Sequence, residues 1–282
     1  MIKPDWQTED GSIRLYRGDC LEVMPLLTET VDAIICDPPF GTTACKWDTV
    51  IPFAPFWEAY RRLVKANGTI VLFGTQPFTS ALVMSNPKMF RQALVWDKVN
   101  KYTDFLNAKN RPMRRHEDVL IFADGQTTYN PQYENCEPYK SRRTATMAAE
   151  FVGTRNKIDV GREITRRNPC TVIAIPAAST VKSFHPTQKP VQLLEYLTRT
   201  YTNPGETVLD SCFGSGTAAI ACLNTGRRFI GVERDAHYFD VAVSRIEAAL
   251  GNVGLFADPL TSITAAPATG AAVVASAVPA HN

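Results

Sequence analysis

The chain has 282 residues, 45% of them hydrophobic and 21% charged, with 30 Lys and Arg against 28 Asp and Glu for a formal net charge of +2. That describes an ordinary soluble globular protein, long enough for one large domain or a domain with an insertion, whose anionic partners would have to be met by local patches rather than a global field. No run approaches 18 uninterrupted apolar residues, MIKPDWQTEDGS lacks a signal-peptide core, and the seven cysteines form no CxxC pair, so a membrane span, a metal-binding cysteine set and a secreted disulfide framework are not expected.

In chain order, IRLYR (13 to 17) reads as the first strand and VDAII (31 to 35) as a second, the latter a continuous apolar run suited to burial on both faces. It stops at CDPPFGTT (36 to 43), where two prolines without N–H donors end the ladder and stiffen the chain around Asp37 and Phe40. A helical pattern follows at PFWEAYRRLVKA (55 to 66), then strands at TIVLF (69 to 73), ALVW (93 to 96) and VLIF (119 to 122). Residues 124 to 180 break the rhythm. From Lys140 to Arg167 they carry eight Lys or Arg against Glu150, Asp159 and Glu163, which fits a solvated excursion or a phosphate-contacting insertion. Beyond it, QLLEYLTRTY (192 to 201), TVLD (207 to 210), TAAIACLNT (217 to 225), RFIGV (228 to 232) and AHYFDVAVSRIEAAL (236 to 250) alternate helix and strand. The tail from Gly251, alanine-rich with Asp258 as its one charged side chain, reads as low-complexity and disordered. The pattern predicts an α/β fold, a doubly wound, mostly parallel sheet of seven strands with helices on both faces.

Two further stretches carry chemistry. In VLDSCFGSGTAAIACLNTGRRFIGVE (208 to 233) a strand ends at Asp210, Gly214 and Gly216 let a ligand approach the backbone, and a helix opens at Thr217. The next strand ends at Glu233, 17 residues after Gly216, where an acid commonly accepts from ribose hydroxyls. No Lys follows Gly216, which argues against a nucleoside triphosphate; GSGTAA fits NAD and S-adenosylmethionine equally, and a merely tight strand-to-helix turn stays open. FHPTQKP (184 to 190) taken alone reads as a helix entry.

DPPF, FGSG and HPTQKP in this chain order resemble the β class of amino-group DNA methyltransferases, in which the first is the catalytic tetrapeptide and the second the methyl-donor loop. GTTACKWDTVIPF (41 to 53) resembles a mobile segment of that family and GDCLEVM (18 to 24) its cofactor-adenine segment; RRLVKANGTIVLFG (61 to 74) and RRHEDVLIFA (114 to 123) match later motifs. The resemblance spans residues 12 to 250. It implies a Rossmann-like methyltransferase sheet in two halves, a catalytic half at 12–123 and a cofactor-binding half at 181–250, with a target recognition insertion at 124–180 and a tail at 251–282. It also implies a sequence-specific DNA adenine-N6 methyltransferase that transfers methyl from S-adenosylmethionine to a flipped-out adenine amino group. Asp37 and the Pro38 carbonyl would accept from the amine, Pro39 would complete the rigid turn, and Phe40 would stack on the base, recovering roughly 1–3 kcal/mol of the unstacking cost. In-line alignment would supply on the order of 7–11 kcal/mol. No covalent intermediate and no metal is needed.

For the cofactor, the resemblance assigns the loop Asp210, Cys212, Phe213, Gly214, Ser215, Gly216 and Thr217 to the methionine portion, Glu233 to the ribose, and Asp19 with Cys20 to the adenine. Asp37 borders the donor, and His185, Thr187 and Lys189 lie toward the methionine carboxylate. DNA contacts are expected from Lys46, from Lys101, Lys109, Arg111, Arg114 and Arg115 interleaved with Tyr102 and Phe105, and from Arg142, Arg143, Arg155, Lys157, Arg162, Arg166 and Arg167. The resemblance implies double-stranded DNA as partner and a bacterial or phage-encoded, cytoplasmic setting; a homodimer, and either a cognate restriction endonuclease or none, are in keeping with the family. Cytosine-N4 methylation is the nearest alternative; the family's cytosine members usually begin the tetrapeptide with serine, so Asp37 favours adenine. A catalytically silent DNA-binding protein leaves Asp37, Phe40 and Glu233 without purpose, and an NAD-dependent oxidoreductase gives no reason for Asp-Pro-Pro-Phe.

Overall fold

The computed structural model describes residues 2–43, 45, 48–140, 163–178, 184 and 187–256. A nine-stranded sheet runs in the order β1-β2-β11-β10-β3-β4-β6-β5-β9. Its strands are β1 (Trp6–Gln7), β2 (Ile13–Arg17), β3 (Val31–Cys36), β4 (Val64–Gly74), β5 (Phe90–Asp97), β6 (His116–Phe122), β9 (Val172–Ala174), β10 (Thr207–Asp210) and β11 (Arg228–Glu233). All seven expected strands are present. The count rises to nine because two short edge strands were too brief to carry a pattern: β1 pairs antiparallel with β2, and β9 lies parallel to β5. The sheet is mostly parallel, with β6 inserted antiparallel between β4 and β5. A separate two-stranded ladder, β7 (Glu134–Lys140) with β8 (Glu163–Arg167), stands apart within the expected insertion. β9, also drawn from that segment, belongs to the main sheet.

The helices are α1 (Cys20–Val23), α2 (Phe53–Leu63), α3 (Phe78–Ser85), α4 (Val191–Tyr201), α5 (Thr217–Thr225) and α6 (Ala236–Phe256). α2 stops three residues short of the expected Ala66, since β-branched Val64 turns extended and pairs with Val31 to open β4. α6 runs six residues past the expected boundary at 250. Residues 257–282 lie outside the described part of the chain.

Side chains alternate across the sheet with the period of two that a pleated strand imposes. Ile13, Leu15, Ala33, Ile35, Val71, Phe73, Val119, Ile121, Val208 and Phe229 point to one face, where Leu193, Leu197, Ala219, Phe239, Ala242 and Ile246 of α4, α5 and α6 cover them. Tyr16, Ile34, Cys36, Ile70, Leu72, Leu120, Phe122, Leu209 and Ile230 point to the other, under Val23, Phe56, Tyr60, Leu63 and Leu82 of α1, α2 and α3. That two-sided burial is why the strands read as unbroken apolar runs.

β3 and β10 are neighbours, parallel and in register from Val208↔Ala33 to Leu209↔Ile34, although far apart in sequence. The chain leaves β3 for β4 on one side and β10 for β11 on the other. The strand order therefore reverses between them, and the crevice beyond their carboxyl ends is the place where an open α/β sheet binds ligands.

Candidate active site

A cavity of about 410 Å³ opens at that crevice, within the roughly 300–1,000 Å³ range of small-molecule sites. Asp37 and Pro39 from the end of β3 line one wall. Asp210, Ser211, Cys212, Phe213, Gly214, Ser215 and Thr217 line another, with Glu233 from β11, Asp19 and Cys20 from the β2–α1 turn, and Thr187 and Lys189 from the approach to α4. Thirteen of the residues singled out in the sequence thus converge on one space (Asp37 and Pro39, Asp19 and Cys20, Thr187 and Lys189, Asp210, Cys212, Phe213, Gly214, Ser215 and Thr217, and Glu233). Gly18, Thr49, Ile51, Gln188 and Ser211 also line it, each inside a quoted motif but not singled out there, as do Arg234 and Asp235, which directly follow Glu233, and Tyr238, which carried no sequence signal.

The glycine loop has a steric reason. Gly216 sits at φ +79° as the cap of α5, and a Cβ there would lie 2.8 Å from the Ala242 Cβ. With no capping side chain, the first N–H groups of α5 stay available at the cavity. Loop and β11 are locked together: the Gly214 N–H donates to Glu233 Oε2 at 2.8 Å and the Asp235 N–H to Glu233 Oε1 at 2.8 Å. Burial nevertheless holds the Glu233 carboxyl above its ordinary pKa. Asp210 is buried and accepts from the Cys212 N–H at 3.0 Å, and burial, reinforced by the neighbouring Cys36, pushes its pKa well up. Asp19 accepts from the Leu21 N–H at 2.9 Å as the cap of α1, with Arg234 3.6 Å from its other oxygen.

Around Asp37 the charges alternate. Lys189 Nζ lies 2.5 Å from Asp37 Oδ2 and 3.2 Å from Glu117 Oε2, and Lys98 Nζ lies 2.6 Å from Glu117 Oε1. Lys189 is 6% exposed and sits over the Phe73 ring at 5.0 Å and the Phe40 ring at 5.7 Å. Flanked by two carboxylates, it keeps its proton more firmly than a free lysine despite burial. Asp37 is placed less favourably. Burial raises its pKa to about 6; Lys189 pulls it down, while Glu117 competes for that cation and pushes it up. Asp37 Oδ1 is buried with no hydrogen-bond partner. Lys189 was expected at the methionine carboxylate; here its ammonium is engaged by Asp37 and Glu117.

Pro38 lies outside the cavity lining, and Phe40 packs on Phe78 with ring centroids 5.2 Å apart. The segment after the tetrapeptide is tied back by Asp48, which accepts from the N–H groups of Gly41, Thr42 and Thr43 at 2.8, 2.9 and 2.6 Å. Burial opposes its ionisation, but those donors hold its pKa below the usual carboxylate value.

The β5–β6 connection emerges at the same edge as Asp37, because β5 runs parallel to β4 and β3. It carries Lys101, Lys109, Arg111, Arg114 and Arg115 and exposes Phe105 (70%) and Leu106 (85%). Arg111 pairs with Asp104 at 2.7 Å, Arg115 with Asp97 at 2.7 Å, and Arg114 donates to Thr75 just beyond β4. Arg166 and Arg167 lie exposed on β8, Arg166 stacked over Tyr133 at 4.2 Å. Lys46, Arg142, Arg143, Arg155, Lys157, Arg162 and His185 lie outside the described residues. Among the described residues no helix is long and apolar enough to cross a membrane.

A doubly wound sheet, a glycine loop and a proline-locked carboxylate at its switch point define a nucleoside-cofactor enzyme of the α/β type. Residues 31–244 match the family model for N6 and N4 methyltransferases, described as "DNA methylase", and the chain belongs to that family of DNA amino-methyltransferases. Among characterised relatives it is 26% identical over 255 residues to the type II methyltransferase M1.MboII of Moraxella bovis, covering 81% of this chain and 94% of that one. It is 25% identical over 270 residues to M2.MboI of the same organism, covering 86% and 91%. The crystal structure of an M1.HpyAVI–SAM complex superposes with a TM-score of 0.57 at 25% identity, covering 83% of this chain and 98% of that one. The cytosine-N4-specific PvuII methyltransferase, at 16% identity and a TM-score of 0.62 over 92% and 91%, shares the fold.

Proposed function

We propose that this DNA methyltransferase methylates the N6 amino group of adenine at a specific duplex sequence, with S-adenosylmethionine as donor. The observation that carries the reading is the buried, unpartnered Oδ1 of Asp37 on a wall of a cavity whose other side is the glycine loop. A buried acceptor without a donor is costly, and an amino N–H satisfies it.

The residues present fit the donor. Glu233 still has lone pairs for ribose hydroxyls after its two backbone bonds, buried Asp210 offers a carboxyl oxygen as a hydrogen-bond acceptor to the methionine portion, and Ile35, Ile51, Phe73 and Leu194 supply apolar wall. When bound, S-adenosylmethionine supplies a methyl group on an electrophilic sulfonium. The amine of adenine is a weak nucleophile because its lone pair is delocalised into the ring. Accepting one N–H at Asp37 Oδ1 and the other at the Pro38 carbonyl favours a pyramidal nitrogen whose lone pair is free to attack. As the nitrogen–methyl bond forms and the carbon–sulfur bond breaks, the nitrogen becomes cationic, and Asp37, with a pKa near 6, takes the proton on its way to water. Phe40, held by Phe78, is the surface for the extruded base. The exposed cations of the β5–β6 connection are the nearest described phosphate contacts.

The choice of adenine over cytosine rests on an aspartate rather than a serine at the head of the tetrapeptide. Nucleoside mass spectrometry of duplex DNA incubated with the protein and labelled donor is expected to give N6-methyladenine; a product of N4-methylcytosine alone overturns the assignment.

A further inference from the structure

Glu117 lies in RRHEDVLIFA and Lys98 in no quoted motif, and neither stands out as a site residue in the sequence, yet both belong to the charge chain that ends at Asp37. Glu117 is the second residue of β6 and Lys98 follows β5; the two are brought together because Glu117 pairs in register with Trp96, two residues before Lys98. Lys98 is buried, its ammonium over the Trp96 ring at 5.3 Å and fixing one Glu117 oxygen at 2.6 Å. The other Glu117 oxygen holds Lys189, 3.2 Å away, against Asp37 at 2.5 Å. Four formal charges, two of them on buried lysines and two on partly buried carboxylates, are expensive unless each is paired. None of the four reads as a surface ion pair, and Lys98 and Glu117 lie behind the cavity lining rather than in it.

We infer that Glu117 and Lys98 are positioning residues for methyl transfer: through Lys189 they fix Oδ2 of Asp37, so that Oδ1 alone is presented to the target amine. The arrangement does two things at once. Lys189 occupies the oxygen that would otherwise compete for the amine or rotate away from it. Glu117, by sharing Lys189, keeps that lysine from quenching Asp37 completely, and so leaves the carboxylate basic enough to accept from a neutral amine. The charged groups facing Asp37 are Lys189 before α4, Glu117 on β6, Lys98 after β5 and Asp210 on β10. Substitutions along the chain therefore have opposite signs.

The inference rests on Asp37 being the amine acceptor, and its test uses the full-length protein with duplex DNA and labelled donor, read as the pH profile of single-turnover transfer. In Lys189→Met the acid limb is expected to move to higher pH and in Glu117→Gln to lower pH, with transfer slowed by about 10²-fold in each as the carboxylate loses its fixed orientation. In the double variant Glu117→Gln/Lys98→Met, which removes one charge of each sign, the limb is expected to return toward that of the parent. Cofactor affinity, measured by calorimetry, should be unchanged in all three. If Lys189→Met does not fold, Glu117→Gln and the double variant still decide. Limbs that stay in place or move in the same direction overturn the inference, as does a loss of cofactor affinity in Lys189→Met with an unmoved limb, which would place Lys189 on the donor instead. A parent protein that transfers no methyl group refutes the assignment of Asp37 itself, a separate outcome.

Discussion

Replacing Asp37 by asparagine should separate catalysis from stability. Burial raises the carboxyl's pKa from 3.8 to about 6, which disfavours the ionised form in the folded protein by up to about 3 kcal/mol. Because the folded pKa lies above the unfolded one, the associated stability is fully present below about pH 4 and is lost as pH rises through about 6. At pH 8 the asparagine variant escapes that penalty. The bond to Lys189 is already inside that net figure, and in the variant Lys189 keeps Glu117 at 3.2 Å. Urea unfolding at pH 8 should therefore find the variant at least as stable as the parent, by up to about 3 kcal/mol, and the parent's fall in stability between about pH 4 and 6 should flatten. Turnover should nevertheless drop by about 10²–10³-fold, the usual cost of removing a preorganised polar group from a reaction centre. A variant that methylates within tenfold of the parent, or one that cannot fold at pH 8, would refute this reasoning.

Other outcomes follow from the same geometry. The parent's turnover should fall with acidity around pH 6 as Asp37 takes a proton, which a stopped-time methyl-transfer profile from pH 5 to 8 will read. Gly216→Ala forces a side chain onto a φ of +79° and against Ala242 at 2.8 Å, so thermal unfolding should show a loss of about 1–3 kcal/mol and calorimetry a weaker donor affinity. Asp48→Ala strands three backbone donors at residues 41–43; the expected signature is a raised KM for DNA with donor affinity little altered, measured by steady-state kinetics against each substrate. Neutralising Lys109 and Arg111 together should weaken DNA binding and make its dependence on salt concentration shallower in an anisotropy titration.

The extent to which this protein is legible from its chain varies from element to element. The central strands are rich in apolar residues because both faces of the sheet are covered, and such runs announce themselves. β1 and β9, two and three residues long, cannot show a period and exist by tertiary pairing at the sheet edges. The end of α2 is not legible in the sequence, because Val64 to Ala66 continue a helical pattern, yet Val64 gains more as the partner of Val31. Locally, Asp37 and Glu233 could be singled out because each sits where a strand ends, and Gly216 because it caps a helix after a tight loop, and turn chemistry is written in neighbouring residues. Glu117 and Lys98 could not be, since a glutamate early in a strand and a lysine after one are commonplace.

By itself the sequence determined the alternation of strands and helices, the proline-locked carboxylate and the glycine turn, all properties of residues close together in the chain. Only the tertiary structure decided which charges meet. Lys189 reaches Asp37 across 152 positions, and Glu117 reaches Lys189 from a reversed strand, because strand order rather than sequence distance sets those neighbours. Coulomb interactions between buried groups depend on separations of a few ångströms and on what shields them from water, and neither quantity exists until the sheet has closed around them.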